Sequence, residues 1–415
     1  MIFALVNRNG WGARYDLAVN HPGVGWETAG QHARTRNRRV SGSAADELLQ
    51  RVEKIPCPTL AGMTHTTWPD VLTAVVKGED LTVSQAEWAM RQVMQGEATG
   101  AQLGGLLMAL RAKGESVEEV IGFRDAILDA AVPLDVDPDV LDIVGTGGDR
   151  HGTVNISSTA SIIVAATGIP VVKHGNRAVS SLTGASDVLS ELGIDLRLSP
   201  DGVASVLEEA GITFAWAAAF HPGFRHAAPV RAELGVPTAF NFLGPLVNPA
   251  RAEANAVGVA STDVVPIITG VFRTRGATAL VFRGEDGLDE LTTTGYSRIW
   301  QVSNGDMHEF DIHPRDLGMN TASIDDLLGG SPAENAETLR RTLAGEQGAV
   351  RDIVLLNAAA GIVAYRLSKD PSQVDRNMIE RLIEAKDEAA AAVDDGRATA
   401  KLAAWVAASA RAGSH

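Results

Sequence analysis

The sequence predicts an α/β protein, with a small N-terminal helical bundle and a larger, mainly parallel sheet domain wrapped by helices. Three observations carry this. Helix-capping signals and apolar residues at helical spacing recur over residues 67–137. From Asp142 onward, short apolar runs alternate with helical stretches, the rhythm of a parallel sheet. The run Asp142–Val144 breaks into Gly145-Thr-Gly-Gly-Asp149, and a helical pattern opens at Asn155, giving strand, glycine loop and helix in succession.

The bulk properties set limits. With 415 residues, 45% of them apolar, the chain can fill two cores. A net charge of −15 excludes a general nucleic-acid surface, so an anionic substrate must be met by a local cation cluster or a metal. The single cysteine, Cys57, rules out an internal disulfide and fits a reducing compartment, so a cytoplasmic location is expected. No apolar run reaches the ~18 residues of a membrane span, and the opening MIFALV is too short for a secretion signal.

Residues 1–66 differ from the rest. They hold eight Lys/Arg against five Asp/Glu, including Arg34, Arg36, Arg38 and Arg39. A nucleic-acid arm is one reading. The patch is short and lacks interleaved aromatics, so a disordered extension, or a start upstream of Met63, is the expectation.

Residues 67–137 are expected to form the bundle. Thr67-Trp-Pro-Asp70 carries a cap, a proline near the first turn and an acid at the third position. Ser84-x-x-Glu87 and Ser116-x-x-Glu119 read as capping boxes, and Thr99 to Lys113 as a helix ended by Gly114. No cluster of ligand-type side chains lies here. Pro133–Pro138 reads as a hinge into the α/β domain of residues 138–415. Its strand candidates are Asp142–Val144, Pro170–Lys173, Ile194–Leu198, Thr213–Ala217, Ala256–Ala260 and Ala279–Phe282. Trp300–Asp311, centred on Asn304-Gly305, is a hairpin signal. Pro332 to Arg411 is helical and Ala-rich, and should cover the sheet.

Two strand ends hold the chemistry. Three glycines in Gly145–Gly148 leave backbone N–H groups free to close on an anion at a helix start, although a ligand-free tight turn has the same signature. Asn155, Ser157 and Ser158 are expected to cap the helix that follows. The next strand delivers Lys173-His-Gly-Asn-Arg177 and then Ala178-Val-Ser-Ser181, with two cations, an imidazole, an amide and two hydroxyls. Ligands of parallel sheets lie beyond the carboxyl ends of strands, so the pair suits a substrate with several phosphates.

GTGGD, NISS, KHGNRAVSS and the later DGLDE, in this order between about Thr67 and Arg411, resemble the anthranilate phosphoribosyltransferase family of tryptophan biosynthesis. The resemblance implies transfer of the phosphoribosyl group of 5-phosphoribosyl 1-pyrophosphate to the amine of anthranilate, with release of pyrophosphate. It also implies a homodimer through the bundle and two magnesium ions per subunit. For the sugar diphosphate it implies Gly145, Gly148, Asp149, Thr153, Asn155, Ile156, Ser157, Ser158, Lys173, His174, Gly175, Asn176, Arg177, Ala178, Val179, Ser180, Ser181 and Ala185. For anthranilate it implies Gly145, Asn176 and Arg231, whose planar guanidinium can grip both oxygens of a carboxylate. For the metal it implies Ser157, Asp289 and Glu290. By residue type alone Ser157 is equally a plain cap, and paired acids on a loop are more often solvated. No residue is implied in acid–base catalysis, because an aromatic amine is nucleophilic without prior deprotonation.

Two departures stand out. Gly184-Ala-Ser-Asp187 replaces the usual G-S-A-D, which leaves only a backbone contact at Ala185. Arg150-His151 puts bulk into the glycine loop. Two other readings compete: a pyrimidine nucleoside phosphorylase of the same fold, and a non-enzymatic relative that binds nucleic acid. KHGNR with Arg231 argues against the first, and the acidic charge against the second.

Overall fold

The structure, a computed structural model, describes residues 66–176 and 183–414. The extension read over residues 1–66 therefore lies, but for Thr66, outside the described residues, and so do Arg177, Ala178, Val179, Ser180 and Ser181.

The first helices are α1 (Trp68–Val76), α2 (Val83–Gln95), α3 (Gly100–Lys113) and α4 (Val117–Asp129). Thr67 opens α1, its N–H donating to Asp70 at 3.1 Å. The expected box at Ser84 is corrected: the cap of α2 is Thr82, which accepts from Gln85 N–H at 3.3 Å while its own N–H donates to Gln85 Oε1 at 3.0 Å. Ser84 then falls inside the first turn. Ser116 caps α4 as read, and Thr99, read as the first residue of its helix, caps α3. Glu119 of the Ser116 box is fully buried. It accepts from Leu81 N–H at 3.0 Å, Ser116 N–H at 2.8 Å and Lys113 Nζ at 3.1 Å, which meets the cost of burying its charge.

Seven strands among the described residues form one sheet in the order β3-β2-β1-β4-β5-β6-β7. They are β1 (Leu141–Gly145), β2 (Val171–Gly175), β3 (Ile212–Trp216), β4 (Ala254–Gly258), β5 (Thr278–Gly284), β6 (Ser297–Ser303) and β7 (Asp306–Ile312). β1 to β5 are parallel, and β6 and β7 add antiparallel at one edge. Asn304 and Gly305 turn the hairpin with φ of 51° and 83°, the left-handed values that such a two-residue turn requires.

One strand candidate fails. Ile194–Leu198 is irregular: Ile194 and Leu198 face the core, but Asp195 N–H donates to Ser409 Oγ at 3.2 Å rather than to a strand. The alternation was that of a segment packed on the core, without a ladder partner.

The remaining helices are α5 (Ile156–Ala166), α6 (Ala185–Glu191), α7 (Pro200–Ala210), α8 (Ala217–Phe220), α9 (Phe224–Leu234), α10 (Val265–Arg275), α11 (Pro332–Leu343), α12 (Ala349–Lys369), α13 (Met378–Asp394) and α14 (Arg397–Ala412). Alternate strand residues serve opposite cores, as a sheet covered on both faces requires. Ile143, Leu280 and Phe282 pack with α5, α12, α13 and α14. Val144, Val257, Val281 and Val302 pack with α10 and the bundle. Gly361 lets α12 press on β1: a Cβ there would lie 2.8 Å from Ile143 Cδ1.

Candidate functional site

The carboxyl ends of β1, β4 and β5 form a notch. Gly145 and Gly258 are register partners at the ends of β1 and β4. A Cβ on Gly145 would stand 2.1 Å from Asp289 Oδ2, and one on Gly258 would stand 1.6 Å from the Asp289 carbonyl oxygen. The missing side chains are the space that Asp289 fills. Its carboxylate accepts from Gly147 N–H at 2.6 Å, so the loop after β5 is bolted to the glycine loop after β1. His151 adds a second bolt, its Nε2 donating to the Asp286 carbonyl at 3.1 Å. Gly147, Gly148, Arg150 and Gly152 all have positive φ, which the glycines tolerate and Arg150 adopts at 64°. Behind the loop, Thr153 pairs with Leu328, and Val154 N–H donates to Leu327 at 2.9 Å.

Acids gather in this notch. Burial, then the charge of Asp149, pushes the Asp289 carboxyl up to about 6. Burial, then Asp289, raises Glu290 well above the carboxylate range, with Lys173 opposing. The Ser157 N–H at the start of α5 opposes this rise from the helix's positive end. The expected cap is corrected. Asn155 makes no capping bond, because its side chain donates to the Thr183 carbonyl at 3.3 Å and accepts from Asn335 Nδ2 at 2.9 Å. Ser158 is buried, and Ile156 is fully packed.

Lys173 is buried beneath the acids. Its Nζ donates to the Ile143 carbonyl at 2.5 Å and to Ser157 Oγ at 3.3 Å. Burial lowers its pKa against the pull of Asp142, Glu290 and Asp289. The ammonium therefore faces the acid cluster and Ser157 from below.

The end of β2 makes the other wall. Asp142, fully buried and pushed up to about 6 by desolvation, accepts from His174 N–H at 3.1 Å and from Asn248 Nδ2 at 2.9 Å. Asn248 Nδ2 also donates to the Val172 carbonyl at 2.8 Å, tying the segment around Asn248 to β2. His174 Nδ1 lies 3.1 Å from the Gly244 carbonyl; a carbonyl can only accept, so Nδ1 carries the proton and Nε2 is left a bare acceptor, buried and without a partner. Burial, then His221, pushes His174 down to about 3, and burial pushes His221 down to about 4. Both rings are neutral at pH 7.

From His174 an aromatic row runs through His221 at 5.1 Å, Phe224 at 5.2 Å and Phe240 at 5.8 Å. Arg231, on α9, ends it with its guanidinium 5.1 Å from the Phe240 ring centroid. No carboxylate pairs with Arg231 among the described residues, and burial lowers its pKa. Asn176 follows β2 and accepts from Trp216 Nε1 at 3.3 Å.

Ala185 opens α6 with its methyl 3.5 Å from where a Cβ on Gly175 would stand. The hydroxyl of Ser186 is buried instead, so the exchanged order moves it into the interior. Sequence reasoning missed Gly258, Asp142, His221 and Asn335. A lone glycine at a strand end was the signal for Gly258, and a carboxylate inside an apolar strand was the signal for Asp142.

Family models described as glycosyl transferase family, helical bundle domain, and glycosyl transferase family, a/b domain, match residues 69–131 and 137–399. The chain is 63% identical to the anthranilate phosphoribosyltransferase of Leifsonia xyli subsp. xyli, over 82% of this chain and 98% of that one. It is 62% identical to that of Clavibacter sepedonicus, with the same coverage. Among solved structures it resembles the anthranilate phosphoribosyltransferase of Thermus thermophilus, with a TM-score of 0.75 and 41% identity over 82% of this chain and 99% of that one. It also resembles that of Saccharomyces cerevisiae in complex with PRPP and Mg, with a TM-score of 0.74 and 25% identity over 84% and 99%. The acid-floored glycine notch, the neutral aromatic row and these likenesses agree, and the chain belongs to the anthranilate phosphoribosyltransferase family.

Proposed function

We propose that the chain transfers the phosphoribosyl group of 5-phosphoribosyl 1-pyrophosphate to anthranilate, the second step of tryptophan biosynthesis from chorismate. The observation that carries this is the joining of the Asp289 loop to the glycine loop beside a dry aromatic row that ends in an arginine. The glycine-loop N–H groups, with Gly145, Gly148, Asp149, Thr153 and Asn155–Ser158, wrap the sugar diphosphate. Asn176–Ser181 and the Ala185 backbone complete its seat, with Lys173 supplying charge from below. Arg231 grips the anthranilate carboxylate, with Gly145 and Asn176 beside the ring. His174 Nε2 accepts from the amine and so aims its lone pair at C1; the neutral imidazole positions and does not deprotonate.

Ser157, Asp289 and Glu290 hold magnesium. The donors are all oxygen, and the acids crowd one another until a cation arrives. Among the described residues no three His, Cys, Asp or Glu side chains close into a ligand set. Magnesium, when bound, supplies positive charge to the departing pyrophosphate. Two ions per subunit, a homodimer through the 67–137 bundle, an α/β domain over 138–415 and a cytoplasmic location belong to the same reading. Among the described residues no helix is long and apolar enough to cross a membrane.

Mixing the protein with anthranilate, phosphoribosyl pyrophosphate and magnesium tests it. Anthranilate fluorescence should fall only when all three are present. Phosphorolysis of uridine would instead mark a nucleoside phosphorylase, and salt-sensitive retention on DNA a nucleic-acid binder.

A further inference from the structure

The C-terminal helices carry a buried cation without a counter-charge. Arg381, one turn into α13, is 4% exposed. Its Nη2 donates to Gln301 Oε1 on β6 and touches Met378 Sδ at 3.6 Å. Its Nε and Nη1 are buried and have no partner among the described residues. The nearby carboxylates are engaged elsewhere, Glu384 with Arg376 at 2.6 Å and Glu388 with Arg366. The start of α13 adds partial positive charge, a poor place for an arginine. Burial, then Arg376, pushes Arg381 down to about 10, so it stays charged at pH 7. A buried charge without a partner is destabilising.

Arg381 lines a small cavity with Arg366, Arg376, Gln373, Glu384 and Val363. It has room for about one water-sized group. Of the three guanidinium groups, Arg366 and Arg376 are paired with glutamates and Arg381 is not. We propose that this cavity is an anion site, in which one small inorganic anion of chloride size sits against Nε and Nη1 of Arg381. The anion supplies the missing charge where α12, the Pro371–Asp375 turn and α13 meet over β6. Water would fill the space without neutralising the guanidinium. The site is separate from the strand-end loops and does not depend on the transfer reaction.

The full chain is unfolded by heat at constant pH and ionic strength while chloride replaces gluconate. Chloride, and bromide in the same way, should raise the midpoint saturably by about 2–4 °C. Arg381→Met should be no less stable than the parent in gluconate and should lose the chloride response. Arg376→Gln should keep the response but need several-fold more chloride. Identical chloride titrations for the parent and Arg381→Met would overturn the proposal. If Arg381→Met does not fold, bromide-grown crystals of the unaltered protein decide. An anomalous peak within hydrogen-bond reach of Nε or Nη1 supports the site; water alone, or Glu384 turned onto Arg381, refutes it.

Discussion

The two walls of the hollow answer one force in opposite ways. On the wall formed by the β1 and β5 loops, burial drives the acids Asp289 and Glu290 upward. On the wall beyond β2, burial drives the bases His174 and His221 downward. Desolvation penalises charge on both sides. The first wall nevertheless keeps acids in mutual contact, so it gains most when a cation arrives. The second becomes a neutral, dry slot with one guanidinium at its rim, suited to a planar ring that carries a carboxylate. One pocket thus sets a charged wall beside an uncharged one.

The comparison breaks most completely at the notch. Gly258→Ala drives a methyl into the Asp289 backbone, which cannot swing aside. It should cost about 3 kcal/mol or more, seen as a lowered midpoint in chemical denaturation. Gly145→Ala meets the Asp289 carboxylate first and its backbone oxygen only at 3.3 Å, so it should cost less stability than Gly258→Ala while turnover drops about 100-fold through misplacement of Asp289. Equal damage to stability from both changes would show that the notch is merely a packing feature.

The walls should separate kinetically. Arg231→Ala should raise the anthranilate KM about 100-fold and leave that for the sugar diphosphate within about twofold. Equal shifts in both would remove Arg231 from the aromatic wall. Asp289→Asn should act on the other side and raise the magnesium needed for half-maximal rate about tenfold. An unchanged magnesium titration would mean that the acids are solvated bystanders.

A pH series sharpens the contrast. His221 falls from an ordinary 6.5 to about 4, so the fold favours the neutral ring. That preference stabilises fully above pH 6.5 and is lost as pH falls through about 4. His221→Gln should flatten this acid limb by on the order of 3 kcal/mol in denaturation experiments at pH 7 and pH 4. An unaltered slope would place the acid sensitivity elsewhere. The smallest effect is expected from removing residues 1–62: specific activity should stay within about twofold, since both walls draw on later residues.

Much of this was legible before the fold was known. The caps at Thr67 and Ser116 lie within four residues of the turns they start, and the Asn304-Gly305 hairpin is as local. The glycine loop and the β2 exit were readable for the same reason. Where local signals competed, the choice was not readable, as with Thr82 over Ser84 or the irregular Ile194–Leu198 segment. Asp142 looked like one more strand residue, because its partners His174 and Asn248 are far along the chain.

The sequence by itself determined the order of helices and strands, the two phosphate-type loops and the presence of an acid pair near residue 289, all of which depend on short-range backbone preference and side-chain chemistry. Only the tertiary structure decided that Asp289 sits in the gap left by Gly145 and Gly258, that Asn155 turns to Thr183 and Asn335 instead of capping its helix, and that His174 presents a bare nitrogen. Those outcomes depend on strand order and register, which bring together groups more than a hundred residues apart and bury them where a missing methyl or a single carbonyl sets the charge.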